Sequence, residues 1–222
     1  MLAVISPIHY IPCMVHSYPP TLGLVLAGGL ARRMGGGDKA RIELGGVTIL
    51  DRVLATLSAQ TTRIIINANG DPERFADTGL EVVPDNVEGH PGPLAGILAG
   101  LDWLAEQNNG TEWMLSVPGD CPFLPDDLAE RLHAARRTMG AGVPLACARS
   151  GEWRHPVVGL WPLALRDDLR KALVQEDLRK IEVWTARHGV AIADWPAEPV
   201  DPFFNVNTPE DAAKAAEIAG GG

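Results

Sequence analysis

The sequence LGLVLAGGLARRMGGGDK, residues 22–39, places an apolar run directly before a segment rich in glycine and basic residues. The run 22–27 is continuously apolar, which is typical of a β-strand buried on both faces of a sheet. The glycine-rich segment cannot build a core, because glycine and charged side chains bury little apolar surface. After it, Thr48 can cap a helix that carries Leu50 and Leu57 at helical spacing. The stretch therefore predicts a strand, a loop and a helix in succession.

The same alternation continues along the chain. Apolar runs at 63–68, 80–85 and 112–120 predict three further strands, and segments with apolar residues at helical spacing lie between and after them. Alternation of strands and helices is typical of a parallel sheet covered by helices. The sequence therefore predicts an α/β fold with a three-layer, mostly parallel, Rossmann-like sheet.

The last third of the chain is less regular. The apolar residues of 165–173 recur at helical spacing and predict a helix. A closing helix is expected after Thr208, a favoured N-cap, because Pro209 suits the first helical position and acidic residues follow. Three further segments are candidates for strands: 142–148, 155–161 and 190–195.

The composition is that of an ordinary globular chain. It has 222 residues, of which 46% are apolar and 21% charged, and it fits one domain of about 200 residues. We expect this domain over residues 21–218. The apolar segment 1–20 is interrupted by prolines and has no basic start, so we expect it to be a disordered extension and not a signal peptide. Residues 219–222 are expected to be a disordered tail.

The charge and the cysteines limit the class of protein. Nineteen Lys and Arg against 28 Asp and Glu give a formal charge of −9, which argues against broad binding to nucleic acid or to an anionic membrane. Three cysteines without metal or disulfide spacing favour a reducing cytoplasm. An anionic ligand must therefore be bound by a local site.

Small or polar residues follow four of the predicted strands. In open α/β sheets the ligand lies beyond the carboxyl ends of the strands, so we expect these residues to converge on one crevice. In chain order they are Gly28 with the basic loop, Asn67 with Asn69, Asp85, and Asp120.

The glycine-rich loop differs from the common phosphate motifs. Gly37 is followed by Asp38 and Lys39, with no Ser or Thr for a Walker A motif, and the glycines do not fall as G-x-G-x-x-G. Glycine nevertheless lets backbone N–H groups approach phosphate oxygens, and Arg32 and Arg33 add local positive charge. We favour a phosphate-binding loop over a turn that only reverses the chain.

Several motifs along the chain together resemble the nucleotidyltransferases that activate sugars and cofactors, and within them one family, the molybdenum cofactor guanylyltransferases or MobA family. The resemblance covers about residues 22–217 and implies a sheet of the nucleotide-diphospho-sugar transferase type. The C-terminal motif narrows the resemblance to this family. The motifs, in order, are LAGGLARRMGGGDK, INAN, PGPLAG, PGDCPFL, HPVVGLW and FFNVNTPED.

The resemblance implies that GTP lies across the strand ends. Lys39 matches the lysine that contacts the phosphates, and Asn67 and Asp85 match residues that fix guanine and ribose. Asp120 matches the carboxylate that holds Mg²⁺, which Mn²⁺ can replace; Lys39, Asp120 and Arg33 are the implied catalytic set. The full nucleotide-binding set is Leu26, Ala27, Gly28, Gly29, Lys39, Asn67, Asp85 and Asp120.

The implied reaction is transfer of GMP from GTP to the phosphate of Mo-molybdopterin, with release of pyrophosphate, in the cytoplasm. A phosphate monoester is already anionic near neutral pH, so no general base is required. The implied partners are GTP, Mo-molybdopterin and, transiently, a molybdenum-insertion protein and molybdoenzyme chaperones, with no nucleic acid and no membrane. The acceptor is expected near His155, Arg179, Asn205 and Asn207.

Several of these residues also have a structural interpretation. Asp120 is a favoured N-cap for a following helix, and His155 at a strand start is often only hydrogen-bonded within the fold. Asn205 and Asn207 are typical of a turn into the last helix. Cys121 beside Asp120 lacks an accompanying base, so we do not expect it to act as a nucleophile.

Other functions stay open at this point. The nearest are CMP transfer to the same pterin and a sugar-phosphate nucleotidyltransferase, although a sugar enzyme often carries a longer C-terminal portion. A nucleotide-binding regulator without turnover is the alternative from another class. The carboxylate at Asp120 argues against it, because a pure binder needs no arrangement for a leaving pyrophosphate.

Overall fold

The computed structural model describes residues 17–27, 39–87, 89, 92–140 and 144–220. In this part of the chain the strands are β1 Thr21–Leu26, β2 Glu43–Leu44, β3 Val47–Thr48, β4 Arg63–Asn67, β5 Glu81–Val83, β6 Trp113–Pro118, β7 Leu145–Ser150, β8 Trp153–Pro162 and β9 Val190–Trp195. The α-helices are α1 Ile49–Ser58, α2 Pro93–Gln107, α3 Leu128–Thr138, α4 Arg166–Glu176, α5 Ile181–His188 and α6 Pro209–Gly220. Short 3-10 helices span Lys39–Arg41, Pro72–Thr78 and Leu163–Leu165.

Seven strands form one sheet in the order β5-β4-β1-β6-β8-β7-β9. All neighbouring pairs in it are parallel except the two that involve β8, which runs antiparallel to β6 and β7. The expected α/β fold with a mostly parallel sheet is therefore confirmed. The remaining strands, β2 and β3, form a small antiparallel pair outside this sheet.

The two faces of the sheet bury two separate hydrophobic clusters. Successive residues of β1 show the division, since Leu24 belongs to the cluster that contains α2, α4 and α5 and Val25 to the cluster that contains α1, α3 and α6. Both side chains are fully buried. A strand covered on both faces must be apolar at every position, which explains the unbroken run 22–27.

The helix starts follow from local chemistry. Thr48 accepts a hydrogen bond from the backbone N–H of Asp51 at 3.0 Å and caps α1 as expected. At α6, Thr208 accepts from the N–H of Asp211 at 3.1 Å, and the Asp211 carboxylate accepts from the N–H of Thr208 at 2.9 Å. This reciprocal pair satisfies backbone donors that a helix start leaves open.

At both ends of the chain, some residues that we expected to be disordered are part of the folded structure. Within the expected extension 1–20, the Tyr18 ring stacks on His133 with 5.2 Å between centroids, and its hydroxyl donates to the carbonyl of Gln60. These contacts fix residues 17–20 against α3 and the end of α1. At the other end α6 includes residues 219 and 220, because the strong helix start propagates and Ala219 packs on the core. Residues 1–16 and 221–222 lie outside the described residues.

Helix α5 is not predicted by the sequence patterns. It buries only Ile181, Trp184 and Thr185, and it starts without a side-chain cap. Packing supplies the missing signal, because Trp184 stacks on Trp161 of β8 with 6.1 Å between ring centroids. Among the described residues no helix is long and apolar enough to cross a membrane.

Candidate active site

The carboxyl ends of β4 and β5 carry a connected group of polar side chains. Asn67, the last residue of β4, donates from its amide to a carboxylate oxygen of Asp85 at 3.0 Å and to the carbonyl of Val83 at 3.0 Å. Asn69 donates to the other oxygen of Asp85 at 2.8 Å and accepts from the Asp85 backbone N–H at 2.9 Å. The two asparagines therefore hold both oxygens of the Asp85 carboxylate in a fixed orientation.

A glycine on α2 makes room for this group. A Cβ atom on Gly96 would lie 2.2 Å from the side-chain oxygen of Asn67 and 2.7 Å from Leu26, far inside contact distance. Only glycine lets α2 approach the strand ends so closely. Gly96 is the last residue of the motif PGPLAG, and the motif alone does not predict this role.

Leu26 and Ala27 lie at the centre of the sheet edge that is formed by the carboxyl ends of the parallel strands. The backbone N–H of Ala27 donates to the carbonyl of Asn67 at 2.9 Å, and the carbonyl of Leu26 accepts from the N–H of Gly119 at 3.0 Å. The end of β1 is thereby joined to β4 on one side and to β6 on the other. Asp120 follows Gly119 directly, so Asn67 and Asp120 flank the start of the glycine-rich loop.

Asp120 does not cap a helix. The following helix α3 begins at Leu128 with Asp127 at its N-cap position, so the structural alternative for Asp120 is wrong. Its side chain is partly exposed, and its carbonyl accepts from the backbone N–H of Val206 at 2.9 Å. This hydrogen bond brings the segment before α6 to the end of β6.

Cys121 extends this connection through its side chain. Its thiol is buried and donates to the side-chain oxygen of Asn205, and the carbonyl of Phe203 lies 3.7 Å from the sulfur. Burial, with the nearby charges of Asp120 and Asp201, raises the pKa of Cys121 well above its usual value. The thiol therefore stays protonated and acts as a hydrogen-bond donor.

His155 lies beside the same segment. It is in β8, its Nε2 is 2.7 Å from the hydroxyl of Ser150, and its ring centroid is 4.8 Å from that of Phe203. Burial lowers its pKa, so the imidazole is neutral at physiological pH. The structure thus gives His155 a structural hydrogen bond and also a position next to the loop that carries Asn205.

The other acceptor-side residues are less closely joined to this group. Asn207 is exposed, and its backbone N–H donates to Asp211 at 3.0 Å, so it contributes to the start of α6. Arg179 pairs with Asp177 at 2.9 Å in the loop between α4 and α5. These contacts do not bring Arg179 to the Asn205 segment.

The basic loop itself lies outside the described residues. Gly28, Gly29, Arg32 and Arg33 belong to residues 28–38, and of Lys39 only the backbone is described, at the start of a 3-10 helix. The roles expected of these side chains stay predictions.

Both flanks of that loop are anchored on the 3-10 helix Pro72–Thr78. Arg74 donates to the carbonyl of Ala27 at 3.2 Å, on the side that precedes the loop. Arg41, on the side that follows, binds both carboxylate oxygens of Asp77 at 2.6 and 2.5 Å and the carbonyl of Arg74 at 2.6 Å. Neither arginine lies in a recognisable motif, so the sequence does not predict these two roles.

The chemistry of the site fits a hard divalent cation held by few protein ligands. The described residues contain no cluster of three or more His, Cys, Asp or Glu side chains, so no closed protein cage is available among them. Asp120 offers carboxylate oxygen at the edge where nucleotide phosphates are expected. One carboxylate with phosphates and water is a common arrangement for Mg²⁺.

An open, mostly parallel sheet with a glycine-rich segment after its first strand and a carboxylate after the adjacent strand is typical of α/β proteins that bind a nucleotide at the carboxyl ends of the strands. Residues 23–190 match the MobA-like NTP transferase domain. The chain belongs to this family.

Sequence relatives agree with this assignment. The chain is 59% identical to a protein of Nitrobacter hamburgensis named molybdenum cofactor guanylyltransferase, over 93% of this chain and 98% of the relative. It is 55% identical to a protein of the same name from Rhodopseudomonas palustris, over 91% and 95%. Among solved structures, molybdopterin-guanine dinucleotide biosynthesis protein A of Archaeoglobus fulgidus shares the fold with a TM-score of 0.68 at 23% identity, over 90% of this chain and 100% of that one.

Proposed function

We propose that this protein transfers GMP from GTP to the phosphate of Mo-molybdopterin, giving the guanine dinucleotide form of the cofactor and pyrophosphate. The observation that carries the proposal is the arrangement of the sheet edge. The polar group of Asn67 and Asp85 lies on one side of Leu26 and Ala27, and Asp120 lies on the other with the Asn205 segment. A nucleotide that extends across this edge has its nucleoside on the first side and its phosphates near the second.

The nucleoside side suits guanine and ribose. Guanine presents donors at N1 and N2, and ribose presents hydroxyls, so both are recognised by oriented acceptors. The Asp85 carboxylate is such an acceptor, because Asn67 and Asn69 fix its direction through one hydrogen bond to each oxygen. Each carboxylate oxygen keeps a second lone pair for the ligand.

On the phosphate side, the proposal gives Lys39 and Arg33 the role of holding phosphate oxygens and Asp120 the role of metal ligand. Asp120 would hold Mg²⁺, which would supply charge neutralisation for the phosphates. Mn²⁺ is proposed as a substitute in the same role. The protein residues align the acceptor phosphate with the bond that breaks, and alignment of this kind lowers the barrier without a covalent intermediate.

No side chain needs to remove a proton from the acceptor. A phosphate monoester has its second pKa near 6, so its oxygen is already anionic at neutral pH. His155, whose pKa burial lowers, is then a neutral contact and not an acid. The proposal places the acceptor near His155, Asn205 and Asn207, with Arg179 at greater reach. We also propose that the protein acts in the cytoplasm, where it transiently contacts a molybdenum-insertion protein and molybdoenzyme chaperones.

The experiment is pyrophosphate release from GTP or CTP with Mg²⁺, with and without Mo-molybdopterin. We expect release with GTP and acceptor together, and loss of activity by about a hundredfold or more in Asp120→Ala, since a metal ligand is removed. The matched control is Asp167→Ala, an exposed carboxylate on α4 paired with Arg166, which should retain activity. Equal turnover with CTP would contradict the choice of base, and no release with any nucleotide would contradict the transferase.

A further inference from the structure

The end of β6 and the segment before α6 are joined at two successive residues. The carbonyl of Asp120 accepts from the backbone N–H of Val206, and the thiol of Cys121 donates to the side chain of Asn205. The first contact is a backbone bond that any residue pair can make. The second depends on the side chains, because few residues of this size carry a donor.

The second contact fixes the direction of the Asn205 amide. An asparagine side chain has an acceptor oxygen at one position and two N–H donors at the other. When the oxygen receives the proton of a buried thiol, the NH₂ group must point away from Cys121. Asn205 is exposed, so the NH₂ group that points away from Cys121 is open to solvent and to a ligand. A flipped amide would bring the stronger donor to sulfur, a weak acceptor.

We propose that Cys121 is a positioning residue, whose buried thiol holds the Asn205 amide with its N–H donors toward the acceptor substrate. The inference rests on the proposed function and deepens it. The acceptor carries an anionic phosphate, which N–H donors stabilise and an amide oxygen repels. By fixing the amide, the thiol favours the orientation that binds this anion. Because Cys121 directly follows Asp120, the positioned amide also stays in register with the proposed metal ligand.

The first test compares cysteine variants by steady-state kinetics with GTP and Mo-molybdopterin. We expect Cys121→Ala to raise KM for the acceptor by about tenfold, the effect of one hydrogen bond to a charged group, with KM for GTP unchanged. Cys121→Ser restores a donor and should recover most of this loss. The matched control is Cys147→Ala in β7, which removes another buried thiol and should change neither constant. Equal KM values for the acceptor in wild type and Cys121→Ala would overturn the inference.

The second test uses the exposed partner, where a substitution does not threaten the fold. Asn205→Asp replaces the NH₂ group by a charged oxygen, and Asn205→Ala removes both ends of the amide. If the N–H groups face the acceptor, the Asp variant should bind it more weakly than the Ala variant. In the Cys121→Ala background, Asn205→Ala should add little further loss, because the two residues act through one contact. An Asp variant that binds the acceptor as well as wild type, or fully additive losses, would overturn the inference.

These outcomes are separable from failure of the proposed function. If wild-type protein released no pyrophosphate from GTP, the transferase itself would be wrong. If wild type were active and the acceptor KM did not respond to Cys121→Ala or to Asn205→Asp, only the positioning role would be wrong.

Discussion

His133 is buried in α3 and kept neutral by its surroundings. Its Nε2 lies 2.9 Å from the hydroxyl of Thr21, which itself donates to the carbonyl of Pro19 at 2.8 Å. The hydroxyl has one proton, so Nε2 of His133 must be the donor in this pair. Burial and, less strongly, the charges of Arg136 and Arg137 lower the pKa of His133 to about 4.

This lowered pKa predicts a loss of stability in acid. Above pH 6.5 the histidine is neutral in both states and has no effect on the pH dependence. Between pH 6.5 and about 4 the unfolded chain binds a proton that the folded protein excludes, so the free energy of unfolding falls as pH falls, by about 3 kcal/mol in total. Urea unfolding at pH 7.5 and pH 5 checks this. His133→Leu should reduce the difference, and an unchanged difference would contradict the assignment.

At the scale of elements, the geometry of the site depends on the close approach of α2 to the sheet. Gly96 meets the side chain of Asn67, whereas Gly100 on the same helix meets Leu24 and Met114 in the core. Both positions are too tight for a Cβ atom without movement. Only the first of them touches a residue proposed to bind the nucleotide.

We therefore expect Gly96→Ala and Gly100→Ala to have different effects on the binding of GTP and similar effects on the free energy of unfolding. Each should lower the free energy of unfolding by about 1–3 kcal/mol, because the added methyl group overpacks the interface. Only Gly96→Ala should weaken binding of GTP, measured by calorimetry, since it displaces Asn67 and with it Asp85. Equal weakening by both variants would mean that the helix acts only through the stability of the core.

The elements that sequence patterns predicted are those with strong local signals. The apolar run of β1 and the caps at Thr48 and Thr208 are signals carried by residues adjacent in sequence. The helix α5 and the antiparallel direction of β8 were not predicted, because they depend on contacts distant in sequence, such as Trp184 on Trp161. For the site, the pattern of polar residues after predicted strands indicated that Asn67, Asp85 and Asp120 lie at the carboxyl ends of the strands. The orienting contacts of Asn69 and Cys121 required the three-dimensional arrangement.

For the molecule as a whole, the candidate ligands come from distant parts of the chain. The sheet edge unites the end of β1, the residues after β4, β5 and β6, and the segment before α6. A nucleotide bound as proposed would contact groups that separate on global unfolding. Binding therefore stabilises the whole fold by mass action.

We expect GTP with Mg²⁺ to raise the melting temperature measurably. At a hundred times Kd the stabilisation is about 3 kcal/mol, which corresponds to roughly 5–10 °C for a protein of this size. CTP at the same concentration should give a smaller shift, and Asp85→Ala should reduce the shift with GTP. Differential scanning fluorimetry measures all of these. Identical shifts with GTP and CTP in wild type would show that the base is not recognised.

The link between Val206 and Asp120 has a consequence for chimeric enzymes. The proposed function assigns the choice of nucleotide to residues after β4 and β5, and the choice of acceptor to two pieces of chain that meet only in space, 120–121 and 203–206. An exchange of residues 203–206 alone between relatives would separate them from the side chains of 120–121 with which they are matched. We therefore expect that grafting a new acceptor preference requires both pieces to be transplanted together, while the residues proposed to bind guanine are kept.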